Sequence, residues 1–180
     1  MILVLSAAMI GGCGAQGSNQ GDFSGSTGNE CSRFRIPRAA LDGAYEPVTI
    51  VNGEREITIY KDADKGTLCE SLCSRNMVML GLGDRVVGRI APANPAERPL
   101  PELEDEFAAI PEVEKSHENA VALGTDLVIG QVSAFKESAW GSYDQLESKG
   151  IQCLTITGTI VPDETVEHIY TDIENLGKNI

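Results

Sequence analysis

Aromatic residues make up only 5% of this 180-residue chain, which has one tryptophan and two histidines. So thin a set offers no base-stacking platform. Basic residues are scarce as well. There are 14 Lys and Arg against 27 Asp and Glu, a formal net charge of −13. Without a basic stripe, binding to nucleic acid is excluded, as is charge-driven docking on anionic lipid. The plain consequence of the acidity is solubility. No Gly-x-Ser-x-Gly elbow is present, and no pair of carboxylates stands out as a general acid and base. Gly81-Leu82-Gly83 resembles the start of a dinucleotide fingerprint, but the third glycine position is Val86. These glycines also end a helix instead of opening one. Cys69 and Cys73 could begin a zinc site, but no second pair and no nearby histidine completes it.

What is present begins with an apolar, uncharged stretch from Met1 to Gly12. It is too short to span a bilayer and reads as the h-region of a secretion signal, without the usual basic n-region. Ile10-Gly11-Gly12-Cys13 resembles a bacterial lipobox. That assigns residues 1–13 to signal and lipobox, with Cys13 as the lipidated residue. Residues 14–43 follow as a tether, rich in Gly, Ser, Gln and Asn over its first half. The remaining cysteines are Cys31, Cys69, Cys73 and Cys153. An exported chain permits disulfides among them, and three full pairings remain open.

Residues 44–180 form the folded part. Val48–Val51 and Glu54–Ile59 flank Asn52-Gly53, a tight hairpin turn. Ala63 to Leu72 holds a first core strand interrupted by Glu70. Cys73–Asn76 is read as the loop after it, with Asn76 capping a helix from Met77 to Leu82. Gly81 and Gly83 suit the end of that helix. Further strands are expected at Arg85–Arg89, Asp126–Gly130 and Ile151–Thr157. Helices are expected at Glu102–Ala109, Ser116–Leu123, Tyr143–Lys149 and Val166–Ile180. Alternating strands and helices imply an α/β fold with a Rossmann-like parallel sheet, flanked by helices and preceded by a β-hairpin. Ligands sit outside the carboxyl ends of such strands. That rule selects the loops Cys73–Asn76, Arg89–Pro92, Gln131–Trp140 and Thr157–Thr159.

The ordered series Met79–Arg89, Ile110-Pro111, Glu118–Leu123, Asp126–Gly130, Leu146–Ile151 and Ile169–Ile173 resembles the N-terminal lobe of a known family. These are the substrate-binding proteins of iron-siderophore, haem and cobalamin ABC importers. The likeness runs from Tyr45 to the end. This chain departs from it at the first strand, where the family's alanine-proline-basic-arginine run is missing, and at Asn76, where the family often has glutamate.

The resemblance implies a solute-binding role, not catalysis. It implies an organic iron chelate as ligand, with haem or cobalamin as other members of the class, and an ABC permease with its ATPase as partners. No cofactor beyond the lipid anchor is implied. The location would be the outer face of a bacterial cytoplasmic membrane, or the periplasm. Arg75, Asn76, Arg89, Gln131 and Trp140 become the ligand-facing candidates, since arginine pairs with carboxylate or catecholate oxygens and indole packs on a ligand face. Glu104, Asp105 and Glu106 become the permease-docking candidates. The family has two lobes, and no second set of strands follows here, so the expected unit is a single lobe without its C-terminal partner. The alternatives are a vestigial or structural surface lipoprotein and an enzyme on the same architecture.

Overall fold

The structure is a computed structural model that describes residues 47–59 and 66–179. The expected lipobox cysteine Cys13, the tether at 14–43 and Cys31 lie outside the described residues.

Two strands open the described chain, β1 (Val48–Asn52) and β2 (Arg55–Ile59), paired antiparallel with Asn52 opposite Arg55. The turn is therefore Gly53-Glu54, one position later than the sequence suggested, with Gly53 at φ +68°. A glycine at the first turn position supplies the positive φ that tight hairpins need. Asn52 stays in the strand because its side chain has other work. Its amide nitrogen donates to the Thr155 carbonyl at 2.6 Å, and its Oδ1 accepts the Thr155 N–H at 2.8 Å.

Four strands form the main sheet: β3 (Thr67–Cys69), β4 (Val86–Arg89), β5 (Leu127–Gly130) and β6 (Gln152–Thr155), all parallel in the order β4-β3-β5-β6. Every residue of β3 and β5 is buried, as expected for strands covered on both faces. Helix α1 (Ser71–Met79) joins β3 to β4. Helices α2 (Glu104–Ala109) and α3 (His117–Ala122) lie between β4 and β5. Then α4 (Tyr143–Glu147) leads to β6, and α5 (Val166–Asn179) follows it. Ser116 caps α3 through the Asn119 N–H, and Ser142 with Gln145 forms a full capping box on α4. These elements match the expected fold class. Among the described residues no helix is long and apolar enough to cross a membrane.

The first core strand and helix differ from expectation. β3 has only three residues, and α1 starts at Ser71, so Cys73–Asn76 is helix and not loop. Asn76 sits inside the helix and is not its cap. Glu70 ends the strand, holds the N-cap position, and accepts the Ser74 N–H on its carbonyl at 2.9 Å. At the other end, Leu82 N–H reaches the Met77 carbonyl and Gly81 N–H reaches that of Val78. With Gly81 at φ +75° this is a Schellman ending. Gly83 instead opens a short 3-10 turn before β4.

Side chains alternate across the sheet into two cores. Cys69, Leu127, Ile129 and Leu154 face Met77 and Val78 of α1, Phe107 of α2, Leu176 of α5, and the hairpin residues Ile50, Ile57 and Ile59. Leu68, Val128 and Cys153 face Ala120 of α3, Leu146 of α4 and Trp140. Each fully buried Leu or Ile stabilises the fold by about 1.5–3 kcal/mol. Cys69, Cys73 and Cys153 are free, buried thiols. Burial pushes Cys153 up to about 12 and raises Cys69 and Cys73 as well.

β6 is an edge strand, and the hairpin closes its open side with side chains. Asn52 satisfies Thr155, while Arg55 pairs with Glu147, reaches the Cys153 carbonyl, and lies 3.8 Å over the Tyr143 ring. Substituting Asn52→Ala leaves one buried N–H and one buried carbonyl without partners. The expected cost is about 2 kcal/mol, read as a lower urea midpoint with an unchanged m-value.

Candidate functional site

In the order β4-β3-β5-β6 the chain goes from β3 to one neighbour and then crosses to the other. The reversal puts the topological switch point at the carboxyl ends of β3 and β5, where open parallel sheets form their ligand crevice. Glu70 follows β3 and Gln131 follows β5, so the two frame this crevice.

Glu70 is 7% exposed and fully engaged. Its Oε2 accepts the Gln131 N–H at 2.5 Å, its Oε1 pairs with Lys115, and its own N–H donates to the Ile129 carbonyl at 3.1 Å. Lys115 lies 5.4 Å from the centroid of the Trp140 ring. Trp140 is wholly buried, and its indole N–H has no hydrogen-bond partner among the described residues. His117 stands beside it. The partner of its Nδ1, at 2.9 Å, is the Trp140 carbonyl. A carbonyl only accepts, so Nδ1 is the donor in this contact. Gly130 is the pivot of this packing. A Cβ there would meet Ala134 Cβ at 2.8 Å, Glu70 Oε2 at 3.1 Å and Trp140 Cζ3 at 3.2 Å.

The five ligand-facing candidates do not gather in one cluster. Gln131 and Trp140 belong to the crevice, Gln131 through its backbone and Trp140 as packing beneath it. Arg75 and Asn76 bond to each other, and Arg75 Nη1 donates to the Ala96 carbonyl at 2.6 Å, fastening the loop after β4. Arg89 is 5% exposed. Its Nε donates to the Phe107 carbonyl at 3.1 Å, its Nη2 pairs with Glu112 at 2.9 Å, and its guanidinium stacks over Phe107. Of the docking candidates, Glu104 pairs with Arg98, Asp105 is exposed, and Glu106 leans against Gly83.

Sequence reasoning missed Glu70, Lys115, Gly130 and His117 as site components. The available signal was a lone carboxylate directly after an apolar strand, which read as an interruption. Among the described residues no three metal-ligating side chains meet.

A second concavity lies between α1 and α5, lined by Cys73, Asn76, Ile129, Leu154, Asp172 and Leu176. At ≈ 10 Å³ it has room for one water at most, so it is a packing groove. Asp172 in its wall accepts the Thr157 N–H at 2.9 and 3.1 Å. Burial nonetheless raises its pKa above the ordinary value, outweighing those bonds.

No protein-family model and no curated protein matches the chain. Solved structures do. One is a periplasmic binding protein from Veillonella parvula DSM 2008, with TM-score 0.64 and 20% identity over 73% of this chain and 45% of that one. Another is an ABC-type Fe3+-hydroxamate transport system from Saccharomonospora viridis DSM 43017, with TM-score 0.60 and 25% identity over 74% and 48%. The chain thus has the fold of one lobe of a periplasmic binding protein, and spans about half the length of these neighbours.

Two substitutions test the geometry. Gly130→Ala overpacks the crevice floor and is expected to cost about 1–3 kcal/mol, seen as a lower denaturation midpoint. Asp172→Asn keeps an acceptor for Thr157 and removes the half-buried charge. Because the folded pKa of Asp172 is raised, the folded chain holds more protons across that window, and stability falls as pH rises through it. Asp172→Asn should therefore be more stable than the parent at neutral pH. The difference should vanish in acid, below the ordinary carboxylate pKa of about 3.9, as followed by thermal melts across pH.

Proposed function

We propose that the chain is a solute-binding lobe of an ABC importer, capturing an iron chelate at the carboxyl ends of β3 and β5 and delivering it to a permease and its ATPase. The observation that carries this reading is the switch-point crevice framed by Glu70 and Gln131. Its support is the likeness to a protein described as an Fe3+-hydroxamate transport system. A ferric siderophore is the leading ligand, ahead of haem or cobalamin. In this reading Gln131 and the loop to Trp140 meet the ligand, and Arg75 and Asn76 brace the loop after β4. Arg89 supports the same rim from below. Glu104, Asp105 and Glu106 are the surface offered to the permease, and Cys13 would carry the lipid that holds the exported protein at the membrane.

No enzyme is implied. The solved structures that the chain resembles are described as a periplasmic binding protein and a transport system.

A two-lobed receptor with micromolar to nanomolar Kd uses about 8–12 kcal/mol. A lobe supplying half the contacts keeps roughly 4–6 kcal/mol, or millimolar to tens of micromolar by the same arithmetic. Trp140 is the only tryptophan and underlies the crevice, so its emission reports occupancy. Titration of the purified chain with ferric siderophores, haem and cobalamin should quench that emission saturably for one class in this range. Emission that stays flat across the whole panel would remove this function.

A further inference from the structure

The segments that follow the four parallel strands are Glu70, residues 89–118, residues 131–142 and residues 156–165. Together they carry twelve carboxylates, one of which, Glu106, lies instead against Gly83 ahead of β4, and four cations. Of those cations, Lys115 is held by Glu70, Arg89 by Glu112 and the Phe107 carbonyl, and Arg98 by Glu104. Lys136 is exposed and has Glu137 as its neighbour in sequence. Arg75, reaching up from α1, is turned onto Asn76 and the Ala96 carbonyl. The backbone N–H that faces out of β5, on Gln131, is where an incoming anion would land in a sheet of this order. The Glu70 carboxylate already fills it at 2.5 Å.

We propose that this crevice selects chelates without net negative charge. The inference rests on the solute-binding reading above and narrows it to a ligand class. Iron(III) held by three hydroxamates is uncharged, because three single negative charges cancel the metal. Iron(III) held by three catecholates is trianionic, because each catecholate brings two. Haem carries two propionates. An anionic chelate approaching this rim meets a surplus of carboxylates, and the Gln131 N–H, Lys115 and Arg98 are already engaged by carboxylates of the chain itself. An uncharged one meets no such barrier, and its amide and hydroxamate oxygens can still accept from exposed rim hydroxyls. Fields of this kind act over a Debye length, about 8 Å at physiological ionic strength, and shape encounter as well as affinity.

The test uses the full chain and two hexadentate probes, ferrichrome as the uncharged ferric trihydroxamate and ferric enterobactin as the trianionic tricatecholate. Calorimetry and Trp140 quenching are read at low and high salt. Ferrichrome should bind about tenfold or more tightly than ferric enterobactin at low salt, a gap set by charge and narrowed as salt screens it. Added salt should strengthen only the trianionic probe. The exposed pair Glu114→Lys and Glu137→Lys, which takes part in none of the contacts described above, should raise ferric enterobactin affinity several-fold and leave ferrichrome unchanged. Equal or tighter binding of ferric enterobactin by the parent chain would overturn the charge inference while leaving the solute-binding reading intact. A selectivity that ignores both salt and the two reversals would also overturn it. Absence of binding by either probe and by haem and cobalamin would remove both readings together.

Discussion

The carboxylate of Glu70 is the tie on which the centre of the molecule depends. It stands where strand becomes helix and joins three segments far apart in sequence: the end of β3, the start of the loop after β5, and Lys115 ahead of α3. Its backbone extends the β3–β5 ladder by one bond, and its carbonyl begins α1. A carboxylate this buried is costly to desolvate, and an ion pair alone seldom offsets that cost. Here the second oxygen takes a backbone N–H, so both lone-pair sets facing the interior are used. The arrangement specifies register more than it adds stability. With Glu70 seated, β3 and β5 cannot slip without leaving a buried charge unpaired.

Around that tie the two cores have different characters. The face carrying α1, α2, α5 and the hairpin is built mainly from aliphatic residues and thiols. The opposite face contains Trp140 and Phe135, with Tyr143 stacked on Phe135 at 4.7 Å between ring centroids. The aromatic side is the one beneath the crevice. Large rigid rings suit a floor that must hold Gly130 and Glu70 within tenths of an ångström, since few rotamers let them yield. The hairpin serves the other weak point, the edge of β6. It supplies an amide and a guanidinium in place of a further strand, which blunts an edge otherwise open to pairing.

Much of this was legible in the chain. The alternation of apolar runs with capped helical segments predicts the parallel sheet, and Ser116 and Gly81 mark helix ends where the structure has them. The misreadings have a common cause. Asn52 was taken as a turn residue and Asn76 as a cap, because short polar side chains satisfy local backbone most often. Asn52 instead bonds a strand 103 residues away, and Asn76 bonds its neighbour Arg75. Glu70 was taken as a flaw in a strand because its partners, Gln131 and Lys115, are 61 and 45 residues distant. Spacing along a chain carries local bonds well and long-range polar bonds hardly at all. A site assembled from long-range polar bonds is therefore the part that sequence conceals.

The same limit applies to the arginines, whose internal partners are also distant in sequence. In a chain with 27 acids and 14 bases, cations are the minority charge, and Arg55, Arg89, Arg98 and Lys115 are each drawn into internal pairing. Arg89 is the extreme case, taken inside to hold a carbonyl and a ring. Once the cations are used in this way, the residual field at the strand ends is set by carboxylates that found no partner. The acidity that at first reads only as solubility then acquires a second consequence. The composition that keeps such a chain dispersed also leaves its strand-end segments with a surplus of carboxylates. Any ligand admitted there must be recognised by shape and by neutral hydrogen bonds instead of by charge.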